Sequence, residues 1–223
     1  MRRLSQSILT CPDPKRLHPL DGFTNIVFLK PLLEHESATN ITVGDYSYYH
    51  DFDDPRSFFR RNVRYNFALS NTRLKIGKYC AIGHGVTILM ADANHPTGGV
   101  TTFPFAIFGH DWADPPLTDY PRRPARDIVI GNDVWIGFEA TILPGTQIGN
   151  GVIIGAKAVV GGTIPDYAVV TGNPGQVVKA RFDDETIARL NQLAWWDWPA
   201  ESVALALPAL TKGDVDAVER CRP

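Results

Sequence analysis

Branched aliphatic residues recur at every sixth position through the second half of the chain. Ile130, Ile136, Ile142, Ile148, Ile154 and Val160 mark the period, and glycine follows as Gly131, Gly137, Gly149, Gly155 and Gly161. Four residues after each aliphatic stands a small or β-branched side chain: Val134, Ala140, Thr146, Val152, Ala158 and Ile164. An earlier tract keeps the rule through Ile76, Ile82 and Ile88, with Cys80 and Val86 at the small positions, and Val43-Gly44 with Ser47 is an isolated earlier repeat. An amphipathic helix requires a period near 3.6 and a half-buried strand a period of 2. A sustained six matches neither alone. It predicts a triangular solenoid in which each unit is a short strand plus a turn and three units make one coil. The aliphatics then point inward and stack about 4.8 Å apart in successive coils, with glycine permitting the backbone angles of the corners.

Two stretches, 49–73 and 89–127, break the period. Both are rich in aromatics, Pro, Asp and Arg, and insertions of this kind project as loops from one side of a solenoid, often the binding side. Their aromatics (Phe58, Phe59, Tyr65, Phe67, Phe103, Phe105, Phe108, Trp112) argue for order. Residues 1–40, with Pro12, Pro14, Pro19 and Pro31, read as an irregular arm, and 41–173 as the solenoid with its insertions. After Asn173-Pro174 comes a helical segment, 174–223. Asp183-Asp184-Glu185 can cap and charge a helix whose Ile187, Leu190 and Ala194 share a face. Pro199 suits the first turn of another helix. Trp195, Trp196 and Trp198 read as anchors of these helices to the solenoid.

Composition alters this picture little. The 223 residues are 44% hydrophobic and 21% charged with net charge −2 and a pI near 6.3, so no bulk attraction to nucleic acid or an anionic membrane is expected. The small basic clusters are Arg60-Arg61 and Arg122-Arg123. No run approaches the roughly 18 apolar residues of a membrane span, and the segment after Met1-Arg2-Arg3 is too polar and short for a signal peptide. Cys11, Cys80 and Cys221 are odd in number and lack metal-ligand spacing, which fits free thiols in the cytoplasm. The sequon Asn40-Ile41-Thr42 then carries no information.

These residues resemble the hexapeptide-repeat xenobiotic acetyltransferases, the group that includes streptogramin and type-B chloramphenicol acetyltransferases. The resemblance runs from about Pro12 to Trp198. It rests on Val43-Gly44-Asp45-Tyr46-Ser47-Tyr48-Tyr49, Ile76-Gly77-Lys78-Tyr79-Cys80-Ala81-Ile82-Gly83, Asn94-His95, Phe103-Pro104-Phe105, Ile130-Gly131-Asn132-Asp133-Val134-Trp135-Ile136-Gly137, Gly172-Asn173-Pro174 and Trp195-Trp196-Asp197-Trp198. The Gly-Asn-Asp-Val-Trp-Ile-Gly and Gly-Asn-Pro strings are shared by many hexapeptide acyltransferases; Tyr-Ser-Tyr-Tyr and Trp-Trp-x-Trp are narrower. The early Pro-Asp-Pro and Phe-Leu-Lys-Pro segments lean towards the streptogramin branch. The resemblance implies an all-β fold: a left-handed parallel β-helix of hexapeptide repeats with projecting loops and a short C-terminal helical segment. It also implies a homotrimer with active sites between subunits, and transfer of acetyl from acetyl-CoA to a hydroxyl of a small xenobiotic, with no metal.

Moving acetyl from a thioester to an alcohol requires a base for the hydroxyl proton, and a neutral imidazole, titrating near pH 6.5, suits that task. His84 occupies a variable repeat position and is expected at the surface. His18 and His35 lie in the arm, where surface or packing roles are expected. His50, His95 and His110 lie in the loops and are candidates. The family's catalytic histidine falls at Asn94-His95, which selects His95 as base; Asn94 either orients it or serves as a turn residue. Resemblance places Trp135 near the active-site end of the pantetheine groove, or in packing between subunits. Gly155, Ala156 and Gly161 match backbone positions along that groove. Where relatives commonly carry Thr-Lys, this chain has Gly161-Gly162, so a lysine that would meet CoA phosphates is missing; Lys179 and Arg181 are the downstream cations that could replace it. Tyr48, Phe67 and Phe105 match or neighbour aromatic positions lining the acceptor cleft, Phe67 standing where streptogramin enzymes tend to carry Tyr.

Three other readings fit parts of the pattern. A sugar or nucleotide-sugar acetyltransferase would show a more polar site. A trimeric β-helical zinc carbonic anhydrase needs three converging histidines. A non-catalytic scaffold gives no role to two elaborate aromatic loops.

Overall fold

The computed structural model of the chain describes residues 10–67, 69–121 and 124–223. The first nine residues of the arm, Ala68, and the Arg122-Arg123 cluster lie outside them. Strand β1 (Ile26–Phe28) and helix α1 (Leu29–Leu33) lead into the solenoid. The first coil carries β2 (Ile41–Val43), β3 (Tyr48–His50), α2 (Phe58–Arg61) and β4 (Val63–Arg64). The second carries β5 (Leu74–Ile76), β6 (Ala81–Ile82) and β7 (Thr87–Leu89), and the third β8 (Ile128–Ile130), β9 (Trp135–Ile136) and β10 (Thr141–Ile142). The fourth carries β11 (Gln147–Ile148), β12 (Ile153–Ile154) and β13 (Val159–Val160). The fifth holds β14 (Thr163–Ile164) and β15 (Ala168–Thr171), from which β16 (Gln176–Ala180) turns back antiparallel.

Three faces result. The first stacks β2, β5, β8, β11 and β14; the second β1, β3, β6, β9, β12, β15 and β16; the third β4, β7, β10 and β13. Neighbouring coils pair in parallel, as Thr141 does with both Thr87 and Val159. This is a parallel β-helix, and its faces fit the left-handed form. The sixth-position aliphatics form its core: Ile82, Ile136, Ile154 and Val170 are successive partners on the second face, each no more than 1% exposed. Full burial of one such side chain contributes about 1.5–3 kcal/mol.

The end of strand β3 and the whole of β4 lie within the stretch 49–73 that the broken period marks as an insertion. Only the passage between β3 and β4, carrying α2, and the segment 65–73 depart from the coil. Both 65–73 and the longer 90–127 connect the third face to the first, so they project from one edge of the prism.

The corner between the first and second faces is built differently. Each coil there contains a residue of positive φ: Tyr46, Tyr79, Asp133, Gly151 and Tyr167. The tyrosines among them give this corner a ladder of rings, with Tyr46 stacked on Tyr79 at 4.9 Å, Tyr79 against Trp195 at 4.9 Å and Tyr167 against Phe182 at 5.7 Å. Gly151 is required, because a Cβ would collide with the Tyr167 ring. Helices α3 (Asp184–Leu193), α4 (Ala200–Leu210) and α5 (Val215–Arg220) pack on this ladder. Asp183 Oδ1 caps α3 by accepting from the Thr186 N–H at 2.8 Å, and Ala194 ends it in the left-handed region. Trp196 is buried, and Trp198 Nε1 donates to Leu193 O at 3.0 Å. Helices and 3-10 turns take about 26% of the described residues, so the β-helix with its C-terminal helical segment stands, and the label all-β does not cover the whole chain.

Candidate active site

At the projecting edge, the chain leaves β7 through buried Met90 and a 3-10 turn, Ala91–Ala93. Asn94 closes that turn, its N–H donating to Ala91 O at 3.1 Å, and His95 follows. Both line a cleft of about 680 Å³ with Leu69, Ser70 and Thr97. His95 Nδ1 lies 2.8 Å from Thr102 O. A carbonyl oxygen can only accept, so Nδ1 carries a proton, and in the neutral ring Nε2 is the nitrogen with the lone pair. The imidazole is thereby fixed in the tautomer a general base needs.

Asp92, which sequence reasoning did not single out, ties the two projecting segments together. Its carboxylate accepts from the N–H groups of Phe67 at 2.9 Å, Leu69 at 3.2 Å and Ser70 at 2.8 Å. Burial alone would raise its pKa, but the hydrogen bonds from Ser70, Leu69 and Phe67 prevail and hold the carboxyl below its ordinary value. An aspartate two residues before Asn94 has no distinguishing pattern, so nothing in the sequence flags it.

The second face carries a different set of candidates. Tyr48, Ala81, Trp135, Ile153, Val169 and Lys179 are successive strand partners and so form one row across it. Trp135 is 56% exposed and Lys179 is exposed. They stand three strands apart, roughly 14 Å at the usual strand spacing. Gly155 and exposed Ala156 occupy the corner between second and third faces. Gly155 has a packing reason to be glycine, since the coils stack so closely there that a Cβ on Gly137 would lie 2.8 Å from Ala156 N, and one on Gly155 would lie 3.0 Å from Thr171 Cγ2. Gly161 lies at the opposite edge of the third face, beside Gly162, whose φ of +76° faces open space. None of Trp135, Gly155, Ala156, Gly161 or Lys179 lines the His95 cleft.

Three residues make contacts that the sequence did not foretell. Arg181 is engaged internally: Nη1 donates to Gly151 O at 2.6 Å, and the guanidinium lies 5.4 Å from the ring centroids of both Tyr167 and Phe182. It braces the helical buttress through one of its terminal nitrogens. His84 is not simply at the surface; its Nδ1 lies 3.2 Å from Asp51 Oδ2, and its ring stacks on Phe138 at 5.7 Å. Phe105 belongs to a cluster with Phe103 at 4.7 Å and Trp112 at 5.3 Å. Of the other acceptor-side residues, Tyr48 is half-buried and Phe67 is exposed, edge-on to Tyr65. Burial pushes the Cys80 thiol up to about 11, which leaves it inert as a nucleophile. Among the described residues no three His, Cys, Asp or Glu side chains gather as a metal site, and no helix is long and apolar enough to cross a membrane.

The bacterial transferase hexapeptide family (six repeats) matches residues 127–162. A chloramphenicol acetyltransferase of Agrobacterium fabrum is 40% identical over 190 residues, covering 82% of this chain and 88% of the relative. A virginiamycin A acetyltransferase of Staphylococcus aureus is 40% identical over 214 residues, covering 95% and 94%. A probable macrolide acetyltransferase of Lysinibacillus sphaericus is 42% identical over 161 residues, covering 71% and 88%. With its six-residue coils and relatives this similar over most of their length, the chain belongs to the hexapeptide-repeat xenobiotic acetyltransferases and is an acyltransferase.

Proposed function

We propose that the protein transfers acetyl from acetyl-CoA to a hydroxyl of a small antibiotic of the streptogramin A or chloramphenicol kind, by direct transfer with His95 as general base. The observation that carries this reading is the Thr102 carbonyl on His95 Nδ1, which leaves Nε2 as the acceptor beside an open cleft. Nε2 takes the hydroxyl proton as the acceptor oxygen bonds to the thioester carbonyl carbon. The carbon–sulfur bond then breaks, and the imidazolium returns the proton to the departing thiolate, giving the ester, free CoA thiol and neutral His95. Asn94 lines the same cleft and orients base or acceptor.

The row on the second face suits the thioester substrate. Trp135 stands towards the reacting end, exposed Ala156 and Gly155 offer backbone at the corner, and Lys179 is the cation for the phosphates; Gly161 flanks the other edge. Because this row and the His95 cleft occupy different parts of the prism, the reading requires a left-handed homotrimer in which the loop of one subunit meets the coils of its neighbour. The half-exposed apolar tip of that loop, with Ile107, Phe108 and Trp112 each more than half exposed, is the kind of surface a neighbour covers. Tyr48, Phe67 and Phe105 do not line the His95 cleft within one subunit; on this reading they meet the acceptor where the loop joins its neighbour, and aromatic neighbours of that kind favour a xenobiotic over a sugar or nucleotide sugar.

Thiol release from acetyl-CoA in the presence of streptogramin A, chloramphenicol and simple sugars tests the proposal. Turnover is expected with one of the two antibiotics. Absence of turnover with every alcohol refutes the acceptor class, and turnover with sugars alone favours the sugar or nucleotide-sugar reading.

A further inference from the structure

The helical buttress does not close completely on the tyrosine ladder. Between them lies a cavity of about 320 Å³ whose helix side is apolar apart from Thr211, with Leu190, Val203 and Leu210, and whose solenoid side presents Asp133, Tyr167 and Arg181. A joint serving only to pack helices would fill such a space or leave it apolar. One buried polar demand is instead unmet, and a second, on a side chain 33% exposed, is only partly met. Tyr167 is 2% exposed, and its Oη is buried without a hydrogen-bond partner among the described residues. Asp133 Oδ2 lies 3.7 Å from Arg181 Nη1, beyond hydrogen-bond distance, because that nitrogen is drawn to Gly151 O at 2.6 Å. Burial raises the Asp133 carboxyl above its ordinary value, an effect Arg181 only partly counters.

The occupant these groups select follows from their chemistry. A phenol has a proton to give and a carboxylate has lone pairs to fill. One group that accepts from the first and donates to the second is a hydroxyl. Arg181 and Asp133 already balance one another, so an additional charge would be left unpaired in a partly apolar space. For size, a dry cavity of about 150 Å³ holds benzene, so this one holds a single ring with a short chain. We propose that the cavity is a binding site for a small neutral alcohol with an apolar body, whose hydroxyl accepts from Tyr167 and donates to Asp133. The cavity shares no lining residue with the His95 cleft, so the proposal is independent of the acetyl acceptor.

Calorimetric titration of the full chain with 2-phenylethanol, and with ethylbenzene as the same shape without the hydroxyl, tests it. Leu207 lines the cavity yet is 48% exposed, so Leu207→Trp can fill the space without disturbing the core. The wild type is expected to bind 2-phenylethanol, Leu207→Trp to lose that binding, and both ethylbenzene on the wild type and 2-phenylethanol on Tyr167→Phe to bind roughly three- to tenfold more weakly. Undiminished binding by Leu207→Trp would place the alcohol elsewhere, including the acceptor cleft, and overturn the proposal. Equal affinity for ethylbenzene, or no binding to the wild type, overturns it too; should Tyr167→Phe not fold, the ethylbenzene comparison and Leu207→Trp decide.

Discussion

Ile136 and His95 stand in regions held together in opposite ways. Ile136 lies between Ile82 and Ile154 in a stack of like neighbours, and its exposure is 0%. Each position in the coils is determined by equivalent positions a turn above and below. Among its described residues the loop 90–127 has no strand: beyond the Ala91–Ala93 turn it carries further 3-10 turns at Phe105–Phe108, His110–Trp112 and Leu117–Asp119 and aromatic rings packed on one another while Phe108 and Trp112 stay half exposed. Many of its side chains are exposed, and its His95, with Nδ1 on a carbonyl, faces a cleft. Repetition gives the coils stability and leaves their side chains no freedom for chemistry. The loop has the freedom because the coils hold its ends.

The two substitutions that separate these roles most sharply should fail in opposite assays. His95→Ala is expected to lower turnover about 10²–10⁴-fold while leaving the melting temperature and acetyl-CoA binding unchanged, since the side chain is exposed. Steady-state kinetics beside a thermal melt checks both, and near-normal turnover would remove His95 from the mechanism. Ile136→Ala is expected to lower stability by about 2–5 kcal/mol through lost burial and a cavity, with activity per folded molecule retained. Denaturant titration with active-site counting reads that outcome.

This contrast also explains what the sequence disclosed. The period of six is a record of stacking, because each buried aliphatic repeats its neighbour's environment, and so the coil, its three faces and its core could be read directly. The aromatic composition marked the projecting edge, and Asp183 marked the start of α3. Features that join unlike parts left no periodic trace. Asp92 bonds to three amides across a break in the coil; Arg181 folds back onto Gly151; His84 pairs with Asp51 from the first coil. The tyrosine ladder was present in the sequence as every corner's third residue, but only the docked helices give those positions a meaning.

Asp92 gives an intermediate test, at the seam between the two regions. Removing its carboxylate in Asp92→Ala leaves the amides of Phe67, Leu69 and Ser70 without their acceptor, a loss of about 1–3 kcal/mol in local stability. Amide exchange should accelerate at these three residues and remain slow in the coils. The pH dependence has a definite sign. The native pKa is depressed, so the stabilisation is complete above the unfolded value of about 3.9 and is lost as pH falls through the native value. Acid should therefore release segment 65–73 in the wild type and change its exchange little in Asp92→Ala; equal acid sensitivity in both would assign the ordering of the segment to other contacts.

Lys179 carries the smallest and most specific effect. It ends the row that begins at Tyr48, on a strand exposed along its whole length, and Gly161-Gly162 offers no ammonium in its place. An exposed ammonium facing phosphates is worth about 0.2–1 kcal/mol, so Lys179→Ala should raise the KM for acetyl-CoA by about 1.4- to fivefold with kcat unchanged. Salt should erase the difference, since the Debye length shrinks from about 10 Å at 0.1 M to 3 Å at 1 M. Arg181→Ala, two residues on, should do the reverse: lower the melting temperature through the loss of its bond to Gly151 O and its contacts with Tyr167 and Phe182, at unaltered salt dependence of KM. If instead the arginine variant carries the salt-dependent KM and the lysine variant none, the thioester substrate does not lie along the second face, because only a path over the buttressed corner would bring its phosphates to the arginine.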